Sequence, residues 1–175
     1  MRDTLQIRNS VSADNKAIES LYPKAFPDED LLPVVKDLLQ DPAVTTSIVG
    51  VLDDQVVAHI IFTACGVSGS PVDAALLAPL GVSPDWQRQG IGSELVQAGL
   101  QQMESAGMQI ICVLGDPAYY GRFGFRPDMS IRPPYPLPKE YEGAWQSIRL
   151  SDDAESCSGQ LLVPAQWRQR SLWMP

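Results

Sequence analysis

A buried strand, an amphipathic helix and a second buried strand follow one another between residues 74 and 114. Ala74–Val82 is apolar on every side, which is typical of a strand covered on both faces. Along Gly92–Ala106 the apolar residues share one face, and Gly107 suits the left-handed position after a helix end. Met108–Leu114 supplies the second strand. Because such a crossover joins parallel strands and is right-handed, we expect a sheet with a parallel pair.

Pro79 interrupts the first of these two strands. Proline cannot donate a backbone hydrogen bond to a neighbouring strand. Inside a buried strand it therefore indicates a bulge, or a place where pairing with one neighbour fails. We expect a gap beside this strand.

The rest of the chain predicts further strands and helices without repeats, low-complexity tracts or a clear domain boundary. The predicted elements are a strand at Leu5–Arg8, helices at Asp14–Phe26 and Asp30–Leu39, a hairpin of Thr45–Leu52 and Val56–Thr63, a loop at Gly66–Val72, a short amphipathic segment at Ala118–Phe123, an extended loop at Arg132–Pro138, and late strands at Ala144–Leu150 and Gln160–Val163.

Size and charge limit the classes of function. With 175 residues, 45% apolar and 19% charged, the chain suits one soluble domain over residues 1–175. A formal charge of -8 opposes binding to nucleic acid or to an anionic membrane, because both select clustered Lys and Arg. No apolar run reaches the ~20 residues that span a bilayer, and Met1–Gln6 does not resemble a signal peptide. We expect a cytoplasmic protein whose partner is neutral or cationic.

Cysteine and histidine usage suggests neither a disulfide framework nor a metal site. Cys65, Cys112 and Cys157 are odd in number and widely spaced, so we expect them to act as small buried side chains. The only histidine, His59, lies in the apolar run Val56–Phe62. There, a strand histidine with satisfied hydrogen bonds is expected rather than a metal ligand.

The turn before the helix lacks the residue types that usually cap a helix. Gln87–Gly92 contains no Ser, Thr, Asp or Asn. Uncapped N–H groups and the positive end of the helix dipole suit an anion, particularly phosphate. Such an anion would offset the unfavourable placement of the cation Arg88. The alternative is a glycine turn capped by water. A dinucleotide fingerprint is poorly supported, since Leu95 occupies the third glycine position, and a Walker loop is absent.

This turn resembles a known motif. Gln87-x-x-Gly90-x-Gly92, after the strand Leu77–Val82, resembles motif A of the GNAT superfamily, the acyl-CoA-dependent N-acyltransferases. Gly115–Phe125, with the sequence GDPAYYGRFGF, resembles motif B of the YhbS-like branch. The resemblance covers roughly residues 5–150 and implies the GNAT fold, an α+β fold. Its central mixed, largely antiparallel sheet has a splayed parallel pair and helices on both faces. Residues from about 151 to 175 would form a C-terminal extension.

The resemblance also implies acetyl-CoA as cofactor and a site for it. The pantetheine arm would lie in the gap beside the splayed strand, pairing with backbone as an added strand would. The Leu80 N–H would stabilise the oxyanion of a tetrahedral intermediate. Tyr120 would be the acid near the sulfur, with Tyr119 its nearest competitor. The residues implied to hold the cofactor are Leu80, Val82, Gln87, Arg88, Gln89, Gly90, Ile91, Gly92 and Ser93.

The implied activity is transfer of an acetyl group from acetyl-CoA to a primary amine of a small molecule or peptide by direct attack. The alternatives are a noncatalytic acyl-CoA-binding sensor or regulatory module and a plain α+β interaction domain without a nucleotide. The base that takes the amine proton stays open among Glu29, Asp30, Asp116 and a water chain. His59 lacks motif support for that role.

The C-terminal extension is expected to contact apolar surface. Trp167, Leu172 and Trp173 either dock on a partner subunit, as in a homodimer, or fold back onto their own domain. The sequence leaves both options open.

Overall fold

The computed structural model describes residues 4–174. Over that range it contains four α-helices and nine strands. The helices are α1 Asn15–Ala25, α2 Leu32–Leu39, α3 Ile91–Ser105 and α4 Pro117–Tyr120. The strands are β1 Gln6–Asn9, β2 Thr45–Leu52, β3 Gln55–Val67, β4 Ser70–Val82, β5 Ile110–Leu114, β6 Arg126–Pro127, β7 Ile131–Arg132, β8 Trp145–Arg149 and β9 Gly159–Leu162.

The chain divides into two compact units. The first unit comprises the residues up to Phe62 together with Ala78–Gln102. The second comprises Thr63–Leu77 together with the residues from Met103 onward. The long strands β3 and β4 therefore contribute residues to both units, as does α3.

The first unit contains the strands β1 and β2 and the first part of β3. β1 pairs with β2 from Gln6 opposite Val51 to Asn9 opposite Ile48, and β3 lies on the other side of β2. The predicted hairpin between β2 and β3 is confirmed. Asp53 and Asp54 form its turn with φ angles of +50° and +60°, a conformation that gives a two-residue turn the twist of the flanking strands.

Helices of the first unit bury apolar stripes of the expected spacing. α1 buries its side chains Ile18, Leu21 and Tyr22, and α2 buries Val34, Val35 and Leu38. α3 packs closely against Phe62 of β3 because the helix has a glycine, Gly99, at this contact. A Cβ atom at Gly99 would lie 2.2 Å from Cε2 of Phe62, which leaves no room for a side chain there.

The second unit contains the predicted parallel pair. β4 pairs with β5 from Ala74 opposite Ile110 to Leu76 opposite Cys112. β4 then continues to Val82. β5 pairs antiparallel with β8, and β8 with β6. A short second parallel pairing joins β7 to β9. The predicted fold class is confirmed, with a mixed, mostly antiparallel sheet, a parallel pair and flanking helices.

The predicted loop at Gly66–Val72 is wrong. β3 runs on to Val67 and β4 begins at Ser70, so only a tight turn separates them. Gly69 makes this turn at a φ of +71°. The Gly- and Ser-rich composition suggested a loop, but Gly66 pairs with Leu162 of β9 and is held in the sheet by a residue far along the chain.

The aromatic tail folds back onto its own unit. Trp167 and Trp173 are both buried. The Trp167 indole donates to Oγ1 of Thr63 at 3.1 Å, and the Trp173 indole donates to the carbonyl of Trp167 at 2.9 Å. The Trp173 ring also meets the Trp145 ring edge to face at 5.8 Å. The tail therefore closes the apolar core of the second unit.

Among the helices of residues 4–174, none combines the length and the apolar character needed to cross a bilayer.

Candidate active site

The turn between β4 and α3 is shaped by side-chain contacts to its own backbone. After Val82 the chain makes a short 3-10 turn at Pro84–Trp86 and enters α3 at Ile91. The side-chain amide of Gln87 donates to the carbonyl of Val82 at 3.0 Å. Gln87 thereby ties the loop to the end of the strand, a role that its motif position did not predict.

Two residues of this turn adopt left-handed backbone conformations. Arg88 has a φ of +62° and Gly90 a φ of +82°, whereas Gln89 between them does not have a positive φ. A positive φ is uncommon for a residue with a side chain and often marks a functional position. Alternation of left- and right-handed residues turns successive N–H groups toward one concave side, which makes a site for an anion.

Several N–H groups of the turn have no protein acceptor. A backbone hydrogen bond at the start of α3 runs from the Glu94 N–H to the Gly90 carbonyl at 3.1 Å. In the described part of the chain, the N–H groups of Arg88, Gly90, Ile91 and Gly92 find no acceptor. Because these groups lie at the positive end of a 15-residue helix, they form an electropositive array of donors.

The turn has a positively charged side chain, Arg88, near the positive end of the α3 dipole. The Arg88 side chain is exposed and forms no ion pair within residues 4–174. Arg88 and the helix dipole therefore both place positive charge at the turn, and Glu94 is the acidic residue in the first turn of α3. This arrangement supports the predicted anion site over a water-capped glycine turn.

The structure places the residues implied to hold the cofactor in one continuous segment of the first unit. Leu80 and Val82 are half-buried on β4, and the Ala78–Pro79 peptide bond just before them is cis. Gln87–Gly90 are exposed, Ile91 is buried, and Gly92 and Ser93 are half-buried in the first turn of α3. Tyr120 belongs to the second unit.

Motif B forms a short capped helix that carries Tyr120. The Asp116 carboxylate accepts from the Ala118 N–H at 2.9 Å, and Pro117 occupies the first helical position. Gly115 lies beneath the tyrosine ring. A Cβ atom there would be 2.5 Å from Cε2 of Tyr120, so only glycine allows this ring position.

Aromatic neighbours fix the Tyr120 ring from two further sides. Tyr119 meets it edge to face at 5.0 Å and Phe125 does so at 5.8 Å. Burial raises the pKa of the Tyr120 phenol, and Tyr119 adds to that effect. Tyr120 therefore keeps its proton throughout the neutral pH range.

The Tyr119 ring has a different partner. The guanidinium carbon of Arg122 lies over it, 4.8 Å from the ring centroid.

The candidate bases differ in their surroundings. Asp116 is engaged as the cap of α4. Glu29 and Asp30 are exposed in the segment between α1 and α2. His59 is fully buried and hydrogen-bonded, as the sequence predicted for a strand histidine. None of these contacts selects one of them as the base.

The cysteines are free, with Cys112 buried and Cys65 and Cys157 half-buried. Burial raises the pKa of the Cys65 thiol to about 12, so it is not a thiolate at neutral pH. Within residues 4–174, no three His, Cys, Asp or Glu residues are grouped as metal ligands.

Burial of His59 predicts a specific pH dependence of stability. Burial lowers its pKa from 6.5 to about 3, so the unfolded chain binds a proton in this interval that the folded chain does not. The free energy of unfolding should therefore fall as the pH drops below 6.5, by up to about 1.4 kcal/mol per pH unit. Urea denaturation of the wild type at pH 7.5, 6.5, 5.5 and 4.5 measures this slope.

His59→Gln is the matched variant for this experiment, because glutamine can donate and accept hydrogen bonds but does not titrate. Carboxylates that do not interact with His59 contribute equally to both proteins. Asp128, whose pKa is lowered to about 2 by hydrogen bonds from Ser130, Ser147 and Arg149 despite its desolvation, loses its stabilising effect only as the pH falls below about 4. Equal slopes for the two proteins between pH 6.5 and 4.5 would contradict a buried neutral His59.

Comparison with known proteins identifies the family. The sequence profile described as the Acetyltransferase (GNAT) family matches residues 15–125, more than half of the chain. The chain belongs to the GNAT acetyltransferase family. Two similar relatives from Escherichia coli K12 are named as uncharacterized N-acetyltransferases. YjhQ is 31% identical, covering 85% of this chain and 86% of YjhQ. YhbS is 33% identical, covering 85% of this chain and 89% of YhbS.

Solved structures of GNAT proteins agree with this assignment over almost the whole chain. YhbS from Escherichia coli in complex with CoA superposes with a TM-score of 0.87 at 29% identity, covering 97% of this chain and 93% of YhbS. A GNAT family acetyltransferase from Brucella melitensis in complex with acetyl-CoA has a TM-score of 0.78 at 27% identity, covering 94% and 98%. The predicted resemblance to the YhbS-like branch is confirmed.

Proposed function

We propose that this GNAT protein transfers an acetyl group from acetyl-CoA to a primary amine of a small molecule or peptide. The observation that carries the proposal is the electropositive array formed by the N–H groups of Arg88, Gly90, Ile91 and Gly92, which have no acceptor among residues 4–174 and begin α3 in the motif A position. Related GNAT proteins were crystallised with CoA or acetyl-CoA. These two facts together favour a CoA thioester as the ligand of the turn.

The donor set fits the charges of coenzyme A. Its pyrophosphate is the anion that the N–H groups of Arg88, Gly90, Ile91 and Gly92 would hold, with the Arg88 side chain adding a positive charge. Gln89 and Ser93 lie in the same segment and complete the proposed contacts. Gln87 supports the turn through its bond to Val82 and would contribute its backbone rather than its side chain.

The thioester would be held by β4. In the proposal, the backbone of Leu80 and Val82 faces the pantetheine arm, and the Leu80 N–H donates to the thioester carbonyl. Bound acetyl-CoA supplies an activated acyl group with a thiolate leaving group. A neutral amine forms the new C–N bond at the carbonyl carbon, the C–S bond breaks, and the amine loses one proton. An N–H aimed at the carbonyl oxygen stabilises the negative charge that develops there.

Tyr120 is the proposed acid near the leaving sulfur. Burial raises its pKa above the ordinary value near 10, whereas a thiol has a pKa near 8.5. The phenol therefore keeps its proton until the C–S bond breaks, and its O–H donates a hydrogen bond to the charge that develops on the sulfur. Its fixed position against Gly115, Tyr119 and Phe125 keeps the hydroxyl oriented without loss of side-chain entropy during the reaction.

A noncatalytic acyl-CoA-binding sensor would use the same turn but would not need Tyr120. The test is therefore turnover. Protein free of bound cofactor is mixed with acetyl-CoA and with panels of small amines, polyamines and peptides, and release of the CoA thiol is followed. Mass spectrometry of the acceptor separates transfer, which adds one acetyl group, from hydrolysis.

We expect acetylation of at least one class of primary amine. Binding of acetyl-CoA without acetylation of any amine across the panels would favour the sensor and contradict the enzyme.

A further inference from the structure

A chain of four hydrogen-bonding side chains runs through the interior of the first unit. The Tyr22 hydroxyl lies 2.6 Å from Nδ1 of His59, and the Ser47 hydroxyl lies 2.7 Å from Nε2 on the other side of the ring. The Ser10 hydroxyl lies 2.7 Å from that of Ser47. These residues come from β2, β3, α1 and the segment between β1 and α1, so the chain joins four parts of the unit.

Burial sets the direction of the hydrogen bonds. Tyr22 is almost completely buried, and burial raises its pKa far above the ordinary value, so it keeps its proton. Among the described residues, Nδ1 of His59 is the acceptor for that proton. His59 then carries its own proton on Nε2 and donates to Ser47. The chain is neutral, polar and fully satisfied.

Charged groups near His59 do not change this state. Asp14 attracts a protonated imidazole electrostatically, but Arg8 holds its carboxylate in a two-pronged ion pair with distances of 2.7 and 3.0 Å. Desolvation of His59 therefore outweighs the attraction of Asp14 for a protonated ring.

The inner end of the chain packs against the strand proposed to hold the thioester. A Cβ atom at Gly81 would lie 3.3 Å from Cε1 of Tyr22 and 3.5 Å from Cε2 of Phe26. The Tyr22 and Phe26 rings are stacked, with centroids 6.1 Å apart and an interplanar angle of 12°. The backbone of Gly81 therefore rests directly on an aromatic surface. Leu80 and Val82 are its immediate neighbours in sequence.

The outer end of the chain reaches a polar cavity. Ser10 and Ser47 line a cavity of about 350 Å³ together with Asn15, Thr45 and Gln102, and none of its lining side chains is charged. Water in this cavity can satisfy the outer hydroxyl groups. The position of the Tyr22 hydroxyl is therefore set by a continuous chain of bonds that ends at solvent.

We propose that Ser47, His59 and Tyr22 are positioning residues that hold the aromatic surface beneath Gly81 and so fix the backbone of Leu80 and Val82 for the thioester. The inference rests on the proposed function. A phenylalanine at position 22 would fill the same space but could shift along the apolar core, because its ring would lack a fixed point. The hydroxyl bonded to His59 prevents that shift.

His59 is the single histidine of the protein, so an NMR experiment on histidine reports on this residue alone. Tag-free protein labelled with ¹⁵N-histidine gives one set of imidazole signals, which should report the neutral tautomer protonated on Nε2. Acetyl-CoA is then titrated while these signals and its affinity are recorded. We expect binding to shift the His59 signals in the wild type. Tyr22→Phe and Ser47→Ala should weaken acetyl-CoA binding about fivefold, the lower end of typical coupling between sites.

Two control variants separate positioning from general loss of stability. Ser12→Ala removes a hydroxyl that lines the same cavity but does not belong to the series of hydrogen-bonded side chains. This variant should bind acetyl-CoA as the wild type does. Ser47→Thr keeps the hydroxyl and should restore wild-type affinity. All affinities are measured where circular dichroism shows folded protein.

The outcomes distinguish this inference from the proposed function. If the wild type binds acetyl-CoA and both Tyr22→Phe and Ser47→Ala bind it equally well, the inference is overturned and the function stands. If Ser12→Ala weakens binding as much as Ser47→Ala, or if His59 titrates near pH 6.5, the inference is also overturned. A wild type that does not bind acetyl-CoA overturns the proposed function, and the inference with it.

Discussion

Gly92→Asp is expected to weaken acetyl-CoA binding by a factor between about 5 and about 700. The substitution places a carboxylate in the first turn of α3, among the N–H groups proposed to hold the pyrophosphate. Two like charges about 4 Å apart repel by roughly 1 to 4 kcal/mol near a protein surface, and each 1.4 kcal/mol is a tenfold change in affinity. Isothermal titration calorimetry of both proteins with acetyl-CoA measures the effect.

The same substitution should not harm the fold. An acidic residue in the first turn of a helix interacts favourably with the dipole, by about 0.3 to 1 kcal/mol. Gly92→Asp should therefore melt at the wild-type temperature or slightly above it. The opposite signs of the effects on affinity and stability distinguish a lost ligand site from a damaged protein.

Gly143→Asp is the matched control, because it adds the same charge at an exposed glycine where a Cβ atom would meet nothing within 4 Å. This variant should bind acetyl-CoA as the wild type does. Equal affinity of Gly92→Asp and the wild type would contradict the phosphate site at the start of α3.

Tyr120→Phe is expected to lower kcat by about 100-fold, the lower end of what a positioned acid contributes, while acetyl-CoA affinity changes less than about twofold. The ring contacts with Tyr119, Phe125 and Gly115 are kept in the variant, so only the hydroxyl is lost. Steady-state kinetics with the amine found by screening, together with calorimetry, separate the two effects.

Tyr119→Phe controls for the neighbouring hydroxyl. Tyr119 carries the Arg122 guanidinium on its ring face, a contact that phenylalanine retains. This variant should keep near wild-type kcat. A larger loss in Tyr119→Phe than in Tyr120→Phe would assign the acid to the other tyrosine.

The fold was predictable where local pattern and tertiary structure agree. The alternation between buried strand, amphipathic helix and buried strand located β4, α3 and β5 to within a few residues, because each has the apolar period of its own burial. The turn at Asp53 and Asp54 followed from its position between two β-branched runs. In these segments the residues nearby in sequence decide the conformation.

Elements held by distant residues were not predictable in the same way. Gly66 reads as a loop residue but pairs with Leu162, and the indole of Trp167 finds its acceptor at Thr63. The bond between Tyr22 and His59 joins residues 37 positions apart. No local pattern signals such pairings, since they depend on how strands and helices come together.

The candidate site shows the same division. Glycine spacing and the absent helix cap indicated an anion site at Gln87–Gly92, since helix geometry alone leaves the first N–H groups without partners. The left-handed conformation of Arg88 and the contact between Gly115 and Tyr120 gave no such signal. Both depend on three-dimensional packing.

Titration of the cofactor-free wild-type protein with acetyl-CoA in a calorimeter tests the central claim most directly. The account predicts saturable binding with one acetyl-CoA per chain and weaker binding by Gly92→Asp. Folded wild-type protein that releases no heat and shows no binding by equilibrium dialysis would contradict it, because the uncapped turn at Arg88–Gly92 would then have no CoA phosphate to bind.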